Sequence, residues 1–274
     1  MLGHRLDLVG AAGRAHLAFT DRHGGYGAGP YGSFNLALHV GDEPSTVAAN
    51  RALLGQALGL DRISYVDQVH GTTVHPVTAD TDTGDSAGSG DAPPPQADAQ
   101  VTTLPGVGLA ILVADCTPVL LAAPDEGVVA AVHAGRQGMA GGVVGATVRA
   151  MRERGATRIE AAIGPSIGPR SYEVPLDLRD EVAAAHPVTA SVTRWGTPAL
   201  DVAGGVAEQL RSAGVGIAHW SGACTAESSD LFSYRRDGTT GRFAGVVWFT
   251  PAETATHPRA SAPTGRPSGS FVRE

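Results

Sequence analysis

Two long apolar runs lie close together near the middle of the chain and dominate its hydrophobic pattern. They flank residues 124–127, whose sequence Pro-Asp-Glu-Gly is typical of the turn of an antiparallel hairpin. With the turn centred on these residues, His133 faces Pro118 and Cys116 faces Gly135. The pattern therefore predicts a hairpin in which Cys116 and His133 are diagonal neighbours on one face of the sheet.

Cys116 and His133 would then be close enough to bind one ion, because the Cβ atoms of such neighbours lie roughly 7 Å apart. Each residue alone is more typical of a core position, and a single β-bulge would turn one of them to the other face. Their joint occurrence beside Asp115 and a glycine-rich turn favours a functional site. A third ligand would come from His70 or His75, and their spacing does not choose between them.

The rest of the chain alternates short strand patterns with helical ones. Strands are predicted at residues 16–20, 63–77, 97–102, from 159, 217–224 and 243–249, and helices at 43–59, after Gly138, at 175–185 and at 202–213. The helix after Gly138 follows a glycine-rich turn, so its free N–H groups would bind an anion such as phosphate, although a simple helix start requires the same turn. Three segments lack periodicity, namely a loose lead-in at 1–15, a mobile insertion at 79–96 and a disordered tail at 250–274.

Composition and charge narrow the classes of partner. The formal net charge of −7 argues against nucleic acid or an anionic membrane as a main partner. The sequence has no apolar stretch of about eighteen residues that would span a membrane, and the first residues lack the apolar run of a signal peptide. The two cysteines lie in different motifs and do not form a disulfide framework. We therefore expect a soluble cytoplasmic protein, and no feature of the sequence indicates its oligomeric state.

A set of motifs in fixed order carries a resemblance to a known family. The motifs are TDRHGG, GPYGSFNL, DQVHGTTV, ADAQVTTLPGVGLAILVADCTPVLL, VVAAVHAG, IGPSIGPRSYEV and CTAESSDLFSYRRDGTTGR. Together they cover nearly all of residues 16–249, and the combination of QVHG, ADCTPV, VHAG and SYRRDGTTGR is highly specific. On these motifs the chain resembles the YfiH family, also called the laccase-domain or polyphenol-oxidase-like family.

The resemblance implies a single α/β (α+β) domain over residues 16–249, with helices flanking mixed β-sheets. It also implies a mononuclear zinc site with His70, Cys116 and His133 as ligands, which selects His70 over His75. The implied activity is that of a zinc-dependent purine nucleoside phosphorylase for adenosine, inosine, guanosine and methylthioadenosine, with adenosine deaminase activity. Relatives have also been described as copper-dependent polyphenol oxidases, and a peptidoglycan-editing role has been proposed for some.

The chain departs from the family pattern at two points. Arg136-Gln137 follow the VHAG motif where the family usually has Trp-Arg, which puts the shape of the substrate site in doubt. In the loop with two Gly-Pro pairs the family often has a Cys at the position of Ser166 or of Arg170. Neither departure changes an implied metal ligand.

The implied chemistry requires further residues around the metal. Phosphorolysis needs a phosphate near the ribose, and Arg51 and the helix start at Gly138 are the candidates for binding it. Asp115 would shuttle a proton or orient a ligand, although alternation along the strand points it away from the metal face. Three protein ligands leave one position open on zinc, which is the usual arrangement of a catalytic site.

Three other interpretations remain open from the sequence. A cysteine hydrolase would use Cys116 as nucleophile and His133 as base, but this leaves His70 without a role. Two His and one Cys also suit Cu²⁺, although a multicopper oxidase requires many more paired histidines than this chain has. The last interpretation is a metal-binding protein without catalytic activity.

Overall fold

The computed structural model describes residues 1–80 and 93–252, in which two large β-sheets pack face to face between helices. The strands are β1 (Leu2–Val9), β2 (Gly13–Thr20), β3 (Arg62–Ser64), β4 (Val74–Pro76), β5 (Ala99–Thr102), β6 (Val107–Val113), β7 (Thr117–Ala123), β8 (Val128–Ala134), β9 (Glu160–Ile163), β10 (Ala190–Val192), β11 (Pro198–Leu200), β12 (Gly216–Trp220) and β13 (Phe243–Pro251). The α-helices are α1 (Pro44–Leu58), α2 (Arg136–Gly141), α3 (Val143–Arg152), α4 (Leu176–Ala185), α5 (Val202–Ser212) and α6 (Tyr234–Asp237).

The predicted hairpin forms the centre of a six-stranded sheet with the order β12-β9-β7-β8-β5-β4. β7 and β8 pair antiparallel with Pro118 opposite His133, which confirms the register predicted from the turn. Every residue of both strands is buried because both faces of this sheet are covered. Val119 and Leu121 pack with the helices, whereas Leu120 lies in the core between the two sheets. Burial on both faces explains why the two runs are continuously apolar rather than alternating.

The second large sheet has five strands in the order β1-β2-β13-β6-β3. Its inner face packs against the six-stranded sheet through residues such as Leu17 and Ile111. Its outer face is covered by α1, from which Leu54 packs against Ile63 and Val246. The result is a mixed α/β fold with several sheets and six α-helices in the described part of the chain, which confirms the expected fold class.

The prediction of a loose lead-in at residues 1–15 is wrong. Residues 2–9 form β1, which pairs antiparallel with β2, and β2 already begins at Gly13. The inner positions Leu6 and Leu8 pack against the core between the sheets, while Asp7 between them is exposed. This alternation is short and belongs to an edge strand, so it gives a weak signal in the sequence.

The other boundaries also change in the structure. The predicted tail begins at residue 250, but β13 continues to Pro251 and the Ala252 N–H donates to the Ala12 carbonyl. Within the predicted insertion, Gln96 forms an isolated parallel bridge with Asp67, so this end of the segment is ordered by pairing. Residues 81–92 and 253–274 lie outside the described residues. No helix in residues 1–80 and 93–252 is long and apolar enough to cross a membrane.

Candidate metal centre

Three side chains from distant parts of the sequence meet at one end of the central hairpin. The ligand-type atoms of His70, Cys116 and His133 all lie within 4.8 Å of one another. Cys116 Sγ is 3.7 Å from His70 Nε2, and the rings of the two histidines meet edge to face with centroids 4.8 Å apart. Among the described residues, this is the one group of three or more His, Cys, Asp or Glu side chains with such spacing.

The hairpin itself positions two of these side chains. His133 is the penultimate residue of β8, and Cys116 is the last residue before β7. Gly135, which the sequence pattern placed opposite Cys116, follows β8 and approaches the site closely. A Cβ atom on Gly135 would lie 2.8 Å from His70 Cδ2 and 3.1 Å from Cys116 Sγ, so only glycine leaves room for this arrangement.

His70 reaches the site from a segment that crosses between the two sheets. The predicted strand at residues 63–77 is instead two short strands, β3 in the five-stranded sheet and β4 in the six-stranded sheet. His70 lies in the connection with φ of 60°, a conformation that is uncommon for a residue other than glycine. His75, the competing candidate, lies in β4 and is not part of the cluster of three.

A buried carboxylate holds both histidines. Asp98 Oδ1 accepts from His133 Nδ1 at 2.8 Å and from the His70 N–H at 2.9 Å. Its other oxygen, Oδ2, accepts from the Gly71 N–H at 2.6 Å. Because Nδ1 of His133 donates to this carboxylate, Nε2 is the nitrogen left to face the cluster. Burial raises the pKa of Asp98, but the bonds from His133 and Gly71 outweigh it and lower the pKa overall.

The thiol and the imidazole in this cluster stabilise each other's charged forms. Burial raises the pKa of Cys116, but the charge and hydrogen bonds of His133, followed by those of His70, outweigh it and lower the pKa to about 6. Burial lowers the pKa of His133, whereas the Cys116 thiolate and Asp98 raise it to about 9. Without a metal, the cluster therefore favours a thiolate next to an imidazolium near neutral pH.

A cavity of about 390 Å³ opens beside the three side chains. Its lining adds polar, aromatic and cationic side chains, namely His39, Gln68, Tyr172, Tyr234, Arg235 and Arg242. The Arg235 guanidinium lies over the Tyr172 ring at 5.1 Å, and that of Arg242 lies 5.9 Å from the Tyr234 ring centroid. The cavity therefore combines the metal-ligand cluster with two cations and two aromatic rings.

Asp115 fastens a distant loop to the hairpin. It lies directly before Cys116 with φ of 99°, and its carboxylate accepts from three donors that do not belong to the cluster. Oδ1 accepts from Thr225 Oγ1 at 2.6 Å and from Ser233 Oγ at 2.7 Å, and Oδ2 accepts from the Arg235 N–H at 2.6 Å. These bonds tie the segment with Tyr234 and Arg235 to the cavity, so the geometry supports a positioning role rather than a proton shuttle.

The two residues predicted to bind phosphate lie elsewhere. Arg51 is buried on α1, where Nε donates to the Leu36 carbonyl and the guanidinium lies 3.9 Å from the Tyr65 ring centroid. Gly138 lies inside α2, which begins at Arg136, and a Cβ there would be 2.9 Å from the Gly71 carbonyl oxygen. Neither residue lines the cavity. The glycine instead permits close packing of α2 against the turn that carries His70.

Several residues that the fold brings to the site have no role that could be predicted from the sequence. Asp98 precedes β5 and carries no local signal other than an acid at the start of a buried strand. Arg235 and Arg242 fall within the SYRRDGTTGR motif, which supported the family resemblance but gave no role to either side chain. His39 lies in the cavity lining, where burial and the neighbouring Arg242 lower its pKa.

The donor set fits a transition metal. Two imidazole nitrogens and a thiolate are the ligands that zinc prefers, and copper accepts the same set. Three protein ligands facing a cavity would leave a coordination position for water or substrate, as in catalytic rather than structural sites. The lowered pKa of Cys116 and the Asp98 bond to His133 both agree with metal binding, which requires a thiolate and a fixed imidazole tautomer.

Comparisons with known proteins agree with this site and fold. Residues 16–250 match the profile of the family described as multi-copper polyphenol oxidoreductase laccase. Purine nucleoside phosphorylase ORF3 of Streptomyces griseus is 53% identical over 240 residues, which cover 86% of this chain and 95% of that protein. The crystal structure of YlmD from Geobacillus stearothermophilus has a TM-score of 0.76 and 35% identity, covering 86% of this chain and 92% of that one. That of YfiH from Bacillus licheniformis has a TM-score of 0.75 and 29% identity, covering 87% and 96%. The chain therefore belongs to the multi-copper polyphenol oxidoreductase laccase family, the YfiH-like family that its motifs resemble.

Proposed function

We propose that this protein is a zinc-dependent purine nucleoside phosphorylase with adenosine deaminase activity. The observation that carries the proposal is a His-Cys-His cluster beside a cavity that also presents Arg235 and Arg242. A relative named purine nucleoside phosphorylase is 53% identical to this chain over 240 residues, which cover 95% of the relative. His70, Cys116 and His133 would hold the zinc ion.

Arg242 is our candidate for binding phosphate, in place of Arg51. Its Nη1 donates to the carbonyls of Thr240 and Gly241 at 3.0 and 3.1 Å, and within the described residues it forms no ion pair with a carboxylate. Burial lowers the pKa of Arg242, and the opposing charges of the nearby Cys116 and Asp115 do not outweigh this effect. A partly buried guanidinium with donors to spare is suited to an oxyanion, since arginine binds phosphate through paired hydrogen bonds. Arg235, on the same cavity wall, would add a second cation.

Tyr172 and Tyr234 are our candidates for contacting the nucleoside. Both rings line the cavity, and an aromatic ring can stack on any purine, whichever substituents the purine has. A volume of about 390 Å³ lies within the range of small-molecule sites. A stacking platform without base-specific hydrogen bonds would be consistent with a set of substrates such as adenosine, inosine, guanosine and methylthioadenosine.

The two reactions differ in the bond that breaks. In phosphorolysis the C1′–N9 bond breaks, a phosphate oxygen bonds to C1′, and the purine leaves with the glycosidic electron pair and takes up a proton. In deamination, water adds at C6 of adenosine and ammonia leaves, giving inosine. A bound zinc ion would supply Lewis acidity and lower the pKa of a bound water. Arg242 and Arg235 would hold phosphate for the first reaction, and the tyrosine rings would orient the purine for both.

Two alternatives each rest on a specific observation. The lowered pKa of Cys116 next to an imidazolium also suits a cysteine hydrolase, in which Cys116 attacks and His133 transfers the proton. The family description and the donor set suit copper-dependent phenol oxidation. The nucleoside proposal accounts for His70 and for the cationic side chains of the cavity, whereas the hydrolase accounts for neither.

The proposal is tested by metal analysis combined with product analysis. Elemental analysis of wild type should give about one zinc per chain, by the argument from three ligands, and Cys116→Ala should lose it. Wild type should convert adenosine to adenine and ribose 1-phosphate only when phosphate is present, and to inosine and ammonia without it. The control is Cys224→Ser, since this second cysteine is not part of the cluster.

Three results would contradict the nucleoside proposal. If zinc-loaded wild type turns over none of the four nucleosides, the proposed phosphorylase and deaminase activities are absent. A metal-free protein whose Cys116 is rapidly alkylated and which hydrolyses activated esters would favour the cysteine hydrolase. Phenol oxidation that depends on added copper, without nucleoside turnover, would favour the oxidase.

A further inference from the structure

We propose that Asp98 is a positioning residue that fixes both histidines of the metal cluster, and that zinc affinity depends on it. The inference rests on the metal site of the proposed function but not on its nucleoside chemistry. It assigns a role to a residue that does not line the cavity. The three donors to its carboxylate come from the side chain of one histidine and the main chain around the other.

The contacts of Asp98 leave it little freedom. It is fully buried, and its own N–H donates to the Thr73 carbonyl at 3.0 Å. Its carbonyl accepts from the His133 N–H at 2.7 Å, so Asp98 bonds to His133 through both main chain and side chain. A buried ionised carboxylate needs such a set of donors, and here all three donors to the carboxylate belong to the ligand-bearing segments.

The main-chain bonds explain the unusual backbone of His70. A non-glycine residue with φ of 60° costs of order 1–3 kcal/mol unless its surroundings compensate. The Asp98 carboxylate accepts from the N–H groups of both His70 and Gly71, and these bonds compensate for the cost of the turn. Asp98 therefore holds the turn that directs the His70 ring at Cys116.

The side-chain bond sets the tautomer of His133. With Nδ1–H donated to Asp98, Nε2 is free to bind the metal. A carboxylate behind a metal-binding imidazole orients the ring and increases its basicity, and its loss typically weakens metal binding by about 10–100-fold. Because one carboxylate serves two ligands, its removal should affect both at once.

A second Asp–His pair in the same chain provides a matched control. Asp7 Oδ1 accepts from His16 Nδ1 at 2.8 Å, the same distance as in the Asp98–His133 pair. Asp7 lies on edge strand β1, and neither residue belongs to the cluster. Asp7→Asn therefore removes a carboxylate from a histidine bonded at the same distance without touching the ligand-bearing segments.

The test compares zinc affinities of the holoenzymes by competition with a chromogenic chelator. Asp98→Asn keeps the shape of the side chain but turns an amide N–H₂ towards one of the three donors. We expect zinc binding to weaken by about 10–100-fold in Asp98→Asn and to stay within about 2-fold of wild type in Asp7→Asn. Equal zinc affinities in both variants, or a lowered melting temperature of Asp98→Asn with unchanged zinc affinity, would overturn the proposal.

A measurement on wild type keeps the proposal testable if Asp98→Asn does not fold. ¹H–¹⁵N NMR of the histidine rings should show His133 with a proton on Nδ1 and the metal on Nε2 in the zinc-loaded protein. Zinc on Nδ1 of His133, or a proton on its Nε2, would overturn the assignment. Both experiments use zinc alone, so their results are independent of whether the protein turns over nucleosides.

Discussion

The two parts of the cavity lining are built in different ways. The metal side consists of His70, Cys116 and His133, which lie at strand ends or in a turn held by the buried Asp98. The cationic side consists of Tyr234, Arg235 and Arg242, which belong to the connection between β12 and β13 and its end. Tyr234 is 61% exposed, whereas His133 is 3% exposed.

This difference predicts how each side responds to change. On the metal side His133 is buried, Cys116 is half-buried and His70 is exposed, but a Cβ on Gly135 would come within 2.8 Å of His70 and 3.1 Å of Cys116. A small increase in volume at Gly135 must therefore displace a ligand. The cationic side is attached through the hydrogen bonds to Asp115, through Arg235 Nη1, which donates to the Glu173 carbonyl, and through the Arg242 N–H, which donates to Asn35 Oδ1. None of these bonds involves a side chain of the cluster. We therefore expect substitutions on the metal side to change zinc binding, and substitutions on the cationic side to change substrate affinity at constant zinc content.

The largest expected effect is that of Gly135→Ala on the metal side. The new Cβ would lie 2.8 Å from His70 Cδ2, so the imidazole must move away from Cys116. Overpacking of this kind costs about 2 kcal/mol, which corresponds to roughly 30-fold weaker zinc binding in a chelator competition. Gly145→Ala, on α3 with its nearest neighbour at 3.5 Å, is the control and should bind zinc like wild type. Unchanged zinc affinity in Gly135→Ala would contradict the packed metal side.

Arg242→Gln tests the cationic side. Loss of a charged hydrogen-bond donor costs about 1.5–3 kcal/mol, so we expect the KM for phosphate to rise roughly 20-fold. Zinc content and the deaminase rate, which needs no phosphate, should stay the same. The matched control is Arg211→Gln on α5, outside the cavity. A variant with a normal KM for phosphate would exclude Arg242 from the phosphate site.

Asp115→Asn tests the link between the two sides. Asn tolerates positive φ and can still accept from Thr225 and Ser233, but its amide would face the Arg235 N–H, which is a donor. The loss of one charge-assisted bond, about 1.5 kcal/mol, predicts a roughly 10-fold higher KM for nucleoside. Zinc content should not change. A parallel loss of zinc would show that Asp115 acts on the metal side instead.

The smallest expected effect concerns the reactivity of Cys116 in metal-free protein. Its pKa of about 6, against the usual 9.0, predicts that iodoacetamide alkylation decreases as the pH falls through about 6. At pH 7 the thiolate fraction of Cys116 is about 90-fold larger than that of an ordinary thiol. The lower basicity of this thiolate reduces its nucleophilicity about 20-fold. The alkylation rate at pH 7 should therefore be about 4-fold higher than that of an ordinary thiol. The measurement uses Cys224→Ser so that one thiol remains. An alkylation midpoint near pH 9 would show that no imidazolium stabilises the Cys116 thiolate. Added zinc should slow the alkylation of Cys116.

The sequence determined the central hairpin and its register. A turn motif at residues 124–127 and two continuous apolar runs are local signals, and they were sufficient to predict the register of β7 and β8. This is why the approach of Cys116 and His133 could be predicted from spacing alone. The choice between His70 and His75 could not, because it depends on a segment that leaves one sheet for the other. There the family resemblance, rather than the residue pattern, identified the histidine that the fold brings to the cluster.

Only the tertiary structure decided which charged residues surround the site. Arg51 and Arg242 are both single arginines without a local partner in the sequence, yet one stacks on Tyr65 behind the cavity and the other lines it. Asp98 is separated by 35 positions from His133 and by 28 from His70, and Asp115 by 120 from Arg235. The periodicity of a strand or helix fixes neighbours within a few residues, whereas these contacts arise from the packing of whole sheets. Local pattern therefore specified the central hairpin and two ligands, and long-range packing selected the residues that position them and line the cavity.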